Sequence, residues 1–169
     1  MPFCVWKLLE APGSEAAEVA LEEDRLTARG VQIGPGWWLD YELETGPGWV
    51  TTRLLATVMG DGFRRTLDLR PGGDEWVEGA VDCDIAFSPL TNAMPVLRTG
   101  LMSREGAEDF VMSWVAVPEL TVHASRQRYE HVRDGVVRFV SLDIDYTSEL
   151  TFDSDGLVVT YPGLGERVA

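Results

Sequence analysis

The stretch Asp82-Cys83-Asp84-Ile85-Ala86-Phe87-Ser88-Pro89-Leu90-Thr91-Asn92-Ala93-Met94-Pro95-Val96-Leu97-Arg98 places two carboxylates, an amide and a guanidinium in a mostly apolar segment broken by two prolines. Polar groups in apolar surroundings are costly unless bonded, so such groups are either paired or used. Asp82 and Asp84 stand two apart, and on a strand they point the same way. As a pair they suit acid–base chemistry, one carboxyl raised by the other. Two carboxylates alone are a weak signal, however. The weight falls on a solvent-facing acidic pair with Cys83 and Ile85 turned inward. Asn92 either fixes its non-repetitive segment by bonding backbone groups or faces a ligand, and the structural role carries more weight. Arg98 suits an anionic or polyhydroxyl headgroup at a cavity mouth, or equally an ion pair with Asp82, Asp84 or another acid.

A second set lies downstream. Gln127 and Tyr129 share a strand face with His123, Ser125 and His131. Such a face is either a solvated surface or the polar wall of a pocket, because Tyr and His carry apolar bodies with hydrogen-bonding tips. The chain has six tryptophans, most of them fit for core filling and some for lining a ligand site. Trp49 shares its strand face with Thr51, Arg53, Leu55, Thr57 and Met59, a mixed face of the kind that lines a wet cavity. Trp49 and Arg53 therefore join the candidates. No Ser-His-Asp order or glycine elbow marks a hydrolase. Cys4, Cys83, His123 and His131 have no metal-ligand spacing. No catalytic residue, metal or cofactor is assigned.

The elements that must position these side chains are strands. Leu39, Tyr41 and Leu43 interleave with Asp40, Glu42 and Glu44. Val50, Thr52, Leu54, Ala56 and Val58 share one face of a long strand. Leu67 and Leu69 alternate with polar neighbours, as do Tyr146, Ser148, Leu150 and Phe152. Period two predicts half-buried strands. Further strands are predicted at residues 3–9, 17–23, 26–33, 76–78, 82–87, 110–117, 120–129, 136–142 and 157–161. Turn signals separate them: Thr45-Gly46-Pro47-Gly48, Gly60-Asp61-Gly62, Pro71-Gly72-Gly73-Asp74, Asp134-Gly135 and Asp153-Ser154-Asp155-Gly156. Helix signals are few. Ser88-Pro89 reads as an N-cap with a first-turn proline, and Pro95 should end any helix starting there within two turns. The expectation is an all-β, minor-α chain forming one domain over 1–169, with about a dozen strands and one or two short helical turns. So many strands need an edge solution, which a strongly curved sheet, roll or barrel supplies.

Charge and length bound the partners. Fourteen basic against 28 acidic residues leave a formal charge of −14. An acidic chain repels phosphate backbones and anionic lipid surfaces, which argues against nucleic acid as a partner. No apolar run is long enough for a membrane helix, so no membrane insertion is expected. The N-terminus lacks a basic region followed by an apolar stretch. The expected location is cytoplasmic, where a disulfide between the two cysteines is not expected.

Several motifs carry a family resemblance. They are Asp82-x-Asp84-Ile85, then Ser88-Pro89-Leu90-Thr91-Asn92-x-Met94-Pro95-Val96-x-Arg98. Downstream come Val115-Ala116-Val117-Pro118-Glu119-Leu120, Gln127-Arg128-Tyr129 and Asp155-Gly156-Leu157-Val158-x-x-Tyr161-Pro162. In these, the second half of the chain resembles the putative glycolipid-binding family of uncharacterised bacterial proteins. Trp49, Gly79 and the aromatic opening match more loosely. The family pattern has two basic residues near the end of the central motif; here Leu97 replaces the first and Arg98 stands alone. The resemblance implies a single highly curved antiparallel sheet, a spiral β-roll or half-barrel similar to that of periplasmic lipoprotein carriers.

The resulting expectation is a protein that binds a small amphiphile, a glycolipid or acyl species, in an apolar cavity. Its ligand-binding candidates are Trp49, Arg53, Asp84, Asn92, Arg98, Gln127 and Tyr129. Arg53, Arg98, Gln127 and Tyr129 are assigned to the polar head. The alternatives are an enzyme acting on a small amphiphile through Asp82, Asp84 or His123, or an interaction module, including a homodimer. The weight falls against an enzyme.

Overall fold

The computed structural model describes residues 2–9 and 13–169. Among these, the strands of the first half are β1 (Phe3–Leu8), β2 (Gly13–Leu21), β3 (Leu26–Gly34), β4 (Trp37–Thr45), β5 (Thr51–Gly60) and β6 (Phe63–Leu69). The second half contributes β7 (Asp82–Ile85), β8 (Ala107–Val115), β9 (Val122–Arg133), β10 (Val136–Ser141), β11 (Thr147–Phe152), β12 (Val158–Tyr161) and β13 (Gly165–Arg167). All belong to one open sheet, in the order β6-β5-β4-β3-β2-β1-β13-β12-β11-β10-β9-β8-β7.

Alternation is the reason for most of it. In β4, Trp37, Leu39, Tyr41, Leu43 and Thr45 are buried between exposed Trp38, Asp40, Glu42 and Glu44. The Asp61-Gly62 and Asp134-Gly135 turns close tight hairpins, and Gly62 and Gly135 adopt the positive φ those turns need, 77° and 72°.

Four expectations are corrected. Residues 76–78 form no strand, and Pro71-Gly72-Gly73-Asp74 closes no hairpin: both lie in the long connection from β6 to β7. Strand β13 was not anticipated; its three residues are too short for a readable period, yet they join β1 to β12. Pro95 does not end the helix but sits in the first turn of α1 (Ala93–Thr99), where its missing N–H would have been unpaired anyway. Gly100, in the left-handed region at φ 69°, ends that helix instead. Finally, Trp49, Thr51 and Arg53 do not share a strand face. Trp49 lies in a 3-10 turn (Pro47–Trp49) before β5, and a bulge opposite Glu44 and Thr45 turns Thr51 inward and Arg53 outward.

The sheet curls into a spiral. Every strand pair is antiparallel except β7–β8, which is parallel. Strand β7 forms one margin of the sheet but does not pair with the other margin, β6. It lies inside, against the start of β5: the Cys83 N–H donates to Thr51 Oγ1 (3.2 Å) and Thr51 Oγ1 donates to Asp82 Oδ1 (3.3 Å). The chain then continues across the inner faces of β2 and β3, where Gln32 Nε2 donates to the Ala86 carbonyl (3.0 Å) and Ser88 Oγ to Glu15 Oε1 (2.7 Å). Cys83, Ile85, Leu90, Ala93 and Met94 of this segment pack with Trp6, Leu39, Leu43 and Leu54 in the larger core cluster. A second cluster, with Val96, Leu101, Tyr129, Phe139, Leu150 and Tyr161, serves the C-terminal strands. Helix α1 contributes to both, through Met94 and Val96.

Candidate functional site

The inner face of the C-terminal half is only partly filled by its own chain. Residues from β7 to β12 and their loops enclose an open cavity of about 550 Å³. Its floor is polar: Asp84 at the sheet margin, Asn92 from the turn before α1, and Ser125 and Gln127 from β9. Its walls are aromatic: Trp114, Phe139, Tyr146 and Tyr161. The rim carries Asp143 and Ile144, the latter 69% exposed.

Strand pairing sets this arrangement. Tyr129 and Phe139 face each other across β9 and β10, ring centroids 5.6 Å apart and edge to face. Phe139 in turn meets Tyr146 at 6.0 Å and Tyr161 at 6.2 Å. The chain leaves β7 through Phe87, at φ 65° in the left-handed region. That conformation is costly for a residue with a side chain. It turns the backbone sharply, from strand to the 3-10 turn Leu90–Asn92.

The floor is one hydrogen-bonded network. Gln127 Nε2 donates to Asp84 Oδ2 (2.7 Å) and to Ser125 Oγ (3.1 Å). Thr91 Oγ1 donates to Asp84 Oδ1 (2.8 Å). Tyr129 OH donates to Gln127 Oε1 (3.1 Å) and accepts from Asn92 Nδ2 (3.0 Å). Burial pushes the Asp84 carboxyl upward, against the hydrogen bonds from Gln127 and Thr91. Burial likewise raises the Tyr129 phenol, with the nearby Asp84 charge acting in the same direction.

A second group sits behind the floor. Arg98 makes a bidentate pair with Asp82, at 2.7 and 3.2 Å, and also donates to the Trp49 carbonyl (3.3 Å). Its guanidinium lies 5.2 Å from the centre of the Phe110 ring. Asp82 is fully buried, which raises its carboxyl against the pull of Arg98. Arg98 borders a different, open depression with Arg104 and Arg128 and does not line the cavity.

The expected site residues are thus divided. Asp84, Asn92, Gln127 and Tyr129 come together in one network, three of them on the cavity surface. Asp82 does not face solvent as expected but is fully buried against Arg98, while Asp84 is half-buried on the cavity floor. Asn92 bonds a tyrosine on a distant strand and not its own backbone. Trp49 meets the group only through its carbonyl. Its indole packs on the larger core cluster, with Nε1 enclosed and unbonded. Arg53 stands apart on the outer face, paired with Asp68 at 3.0 Å. Arg53, and then Arg70, hold the Asp68 carboxyl well below its usual range. His123 bonds Thr121 (2.9 Å) and is separated from Asp84 by Trp114, its register partner on the strand between them.

Sequence reasoning missed Glu15, Gln32, Tyr41, Thr51 and Thr91. Glu15 is fully buried and accepts from Tyr41 OH (2.6 Å) and Ser88 Oγ (2.7 Å) through the same oxygen. Its other oxygen has no partner, nor has Oε1 of Gln32, its register partner on β3. Burial raises the Glu15 carboxyl to about 7. A proton on the free Glu15 oxygen would remove the cost of a buried charge there. The signal was in the phase: Glu15 is in step with the buried Ala17 and Val19.

No helix among the described residues is long and apolar enough to cross a membrane. Both cysteines are free. No curated protein matches the chain. Among solved structures, a DUF1089 family protein from Pseudomonas aeruginosa is 25% identical, with a TM-score of 0.79 over 95% of each chain. A family match extends far beyond the C-terminal motifs, across residues 3–167, and it is on this match that the chain belongs to the family described as "Putative glycolipid-binding".

Proposed function

We propose that the cavity holds a small amphiphile. Its polar end would meet Asp84, Asn92, Ser125 and Gln127, and its apolar part would lie along Phe139, Tyr146, Tyr161 and Ile144. One observation carries this reading: a polar floor and aromatic walls share an open space of about 550 Å³. Ligand sites typically have volumes of about 300–1,000 Å³, mostly apolar linings and a few fixed polar groups. The family description supports the same class of ligand. Arg53 and Arg98 drop out of the headgroup assignment, since both are committed to carboxylates away from the cavity.

Native mass spectrometry provides the test. The expected result is a discrete added mass, either on freshly purified protein or after incubation with a bacterial lipid extract. It should be lost on substituting Phe139 and Tyr161 by Ala together. A protein that takes up nothing from any extract sinks the proposal.

A further inference from the structure

Given that the cavity binds an amphiphile, its floor specifies which headgroup it takes. Around Asp84 the hydrogen-bond donors of the floor are turned to the protein. Both amide hydrogens of Gln127 are spent, on Asp84 and Ser125. The Tyr129 hydroxyl hydrogen goes to Gln127 Oε1, that of Thr91 to Asp84, and that of Ser88 to Glu15. Hydroxyls of Ser125, Tyr146 and Tyr161 also line the cavity, and what Asp84 itself offers them or a guest is acceptor capacity. A carboxylate has about four lone-pair sites, and Asp84 fills two of them from the protein side.

Charge points the same way. Among the described residues no Lys, Arg or His lines the cavity, while two carboxylates do. At the rim, Asp143 is held by Arg126 at 2.8 Å, leaving Asp84 as the carboxylate without a cationic partner. An anionic headgroup would lose its water there with no cation to meet it and a carboxylate close by, which leaves its charge poorly compensated. The formal charge of −14 adds repulsion at longer range.

We infer that the cavity selects headgroups that donate hydrogen bonds and carry no negative charge, the hydroxyls of a sugar or polyol or an amine, and that it rejects lipids ending in phosphate or carboxylate. Asp84 is the discriminating residue. Hydroxyl or ammonium hydrogens complete its coordination, and a second anion repels it.

The test uses four probes with one tail: decyl glucoside, decylamine, decyl phosphate and decanoate. Each is titrated into the full chain at pH 8 below its aggregation limit and followed by calorimetry. The glucoside, the amine or both should bind at least about tenfold more tightly than either anion, a difference of about 1.4 kcal/mol. Which of the two binds separates sugar-type from amine-type ligands. Asp84→Asn should narrow the gap by admitting the anions. If that variant does not fold, the ratio in the unaltered protein decides. Anions that bind as tightly as the glucoside and the amine overturn the selectivity and leave the cavity reading standing. If no probe binds, both fall.

Discussion

The two halves of the roll solve the same problem differently. Both present a concave apolar face. In the N-terminal half, the chain from β7 to α1 runs through the concavity and fills it, with Ile85, Leu90 and Met94 against Leu39 and Leu54. In the C-terminal half the same segment reaches only part of the face, through Asn92, Val96 and Leu101, and about 550 Å³ stays open. The polar groups differ accordingly. Those of the filled half are enclosed: Glu15 is sealed with Tyr41 and Ser88, and burial raises its carboxyl so that it holds a proton more readily. Those of the open half are braced from behind and keep acceptor capacity on the cavity side. Burial alone therefore does not distinguish a structural polar group from an available one. What matters is whether the last lone pair faces protein or space.

The Arg98–Asp82 pair behind the cavity floor should be the most sensitive point. Arg98→Ala leaves the Asp82 carboxylate fully buried and unpaired. We expect a loss of about 3–5 kcal/mol in chemical denaturation. Replacing both partners by apolar residues of similar volume should recover much of it.

Core truncation should then tell the halves apart. Leu39→Ala, fully enclosed in the filled half, should cost about 2–5 kcal/mol. A loss below 1 kcal/mol would mean that the N-terminal concavity is not packed.

Glu15 gives a signed pH prediction. Its carboxyl stands at about 7 in the fold against 4.5 in the open chain. Between those values the unfolded state has released the proton and the native state has not, so stability falls as pH rises and levels off above 7. At roughly 1.4 kcal/mol per pH unit the loss is about 3 kcal/mol. Glu15→Gln keeps an acceptor for Tyr41 and Ser88 and carries no titrating group. It should flatten the slope, and at pH 8 the variant should be the more stable protein. Equal pH profiles for the two would refute the buried proton.

The smallest effect on stability belongs to the rim. Ile144→Ala, at an exposed position, should change stability by no more than about 0.5 kcal/mol, while weakening the uptake of a decyl-chain probe. A large loss of stability there would mean that the rim is core.

Most strands were legible because one face is wet and the other dry, as in β4. The positions that escaped are those where this contrast fails. In strand β7 both faces carry buried residues and only Asp84 is half-buried at the cavity, so nothing in Asp82-Cys83-Asp84-Ile85 marks which side is solvent. The bulge in β5 reverses the phase between Thr51 and Leu54, and a strict period of two misassigns Arg53. Strand β13 is short and is defined by its neighbours β1 and β12 more than by its own residues. Within the site, Asp84, Asn92, Gln127 and Tyr129 could be named because polar types stood out against apolar surroundings. That they meet depends on contacts between residues as far apart as Asp84 and Gln127, which no local pattern encodes.

One strand's direction has a further consequence. Because β7 runs the same way as β8, the chain leaving β7 must travel back the length of the strand before it can enter β8. That homeward route is what carries α1 through the roll. Had β7 run the other way, a short turn would have sufficed, and the protein would have kept two vacant chambers where it now has one stoppered and one free.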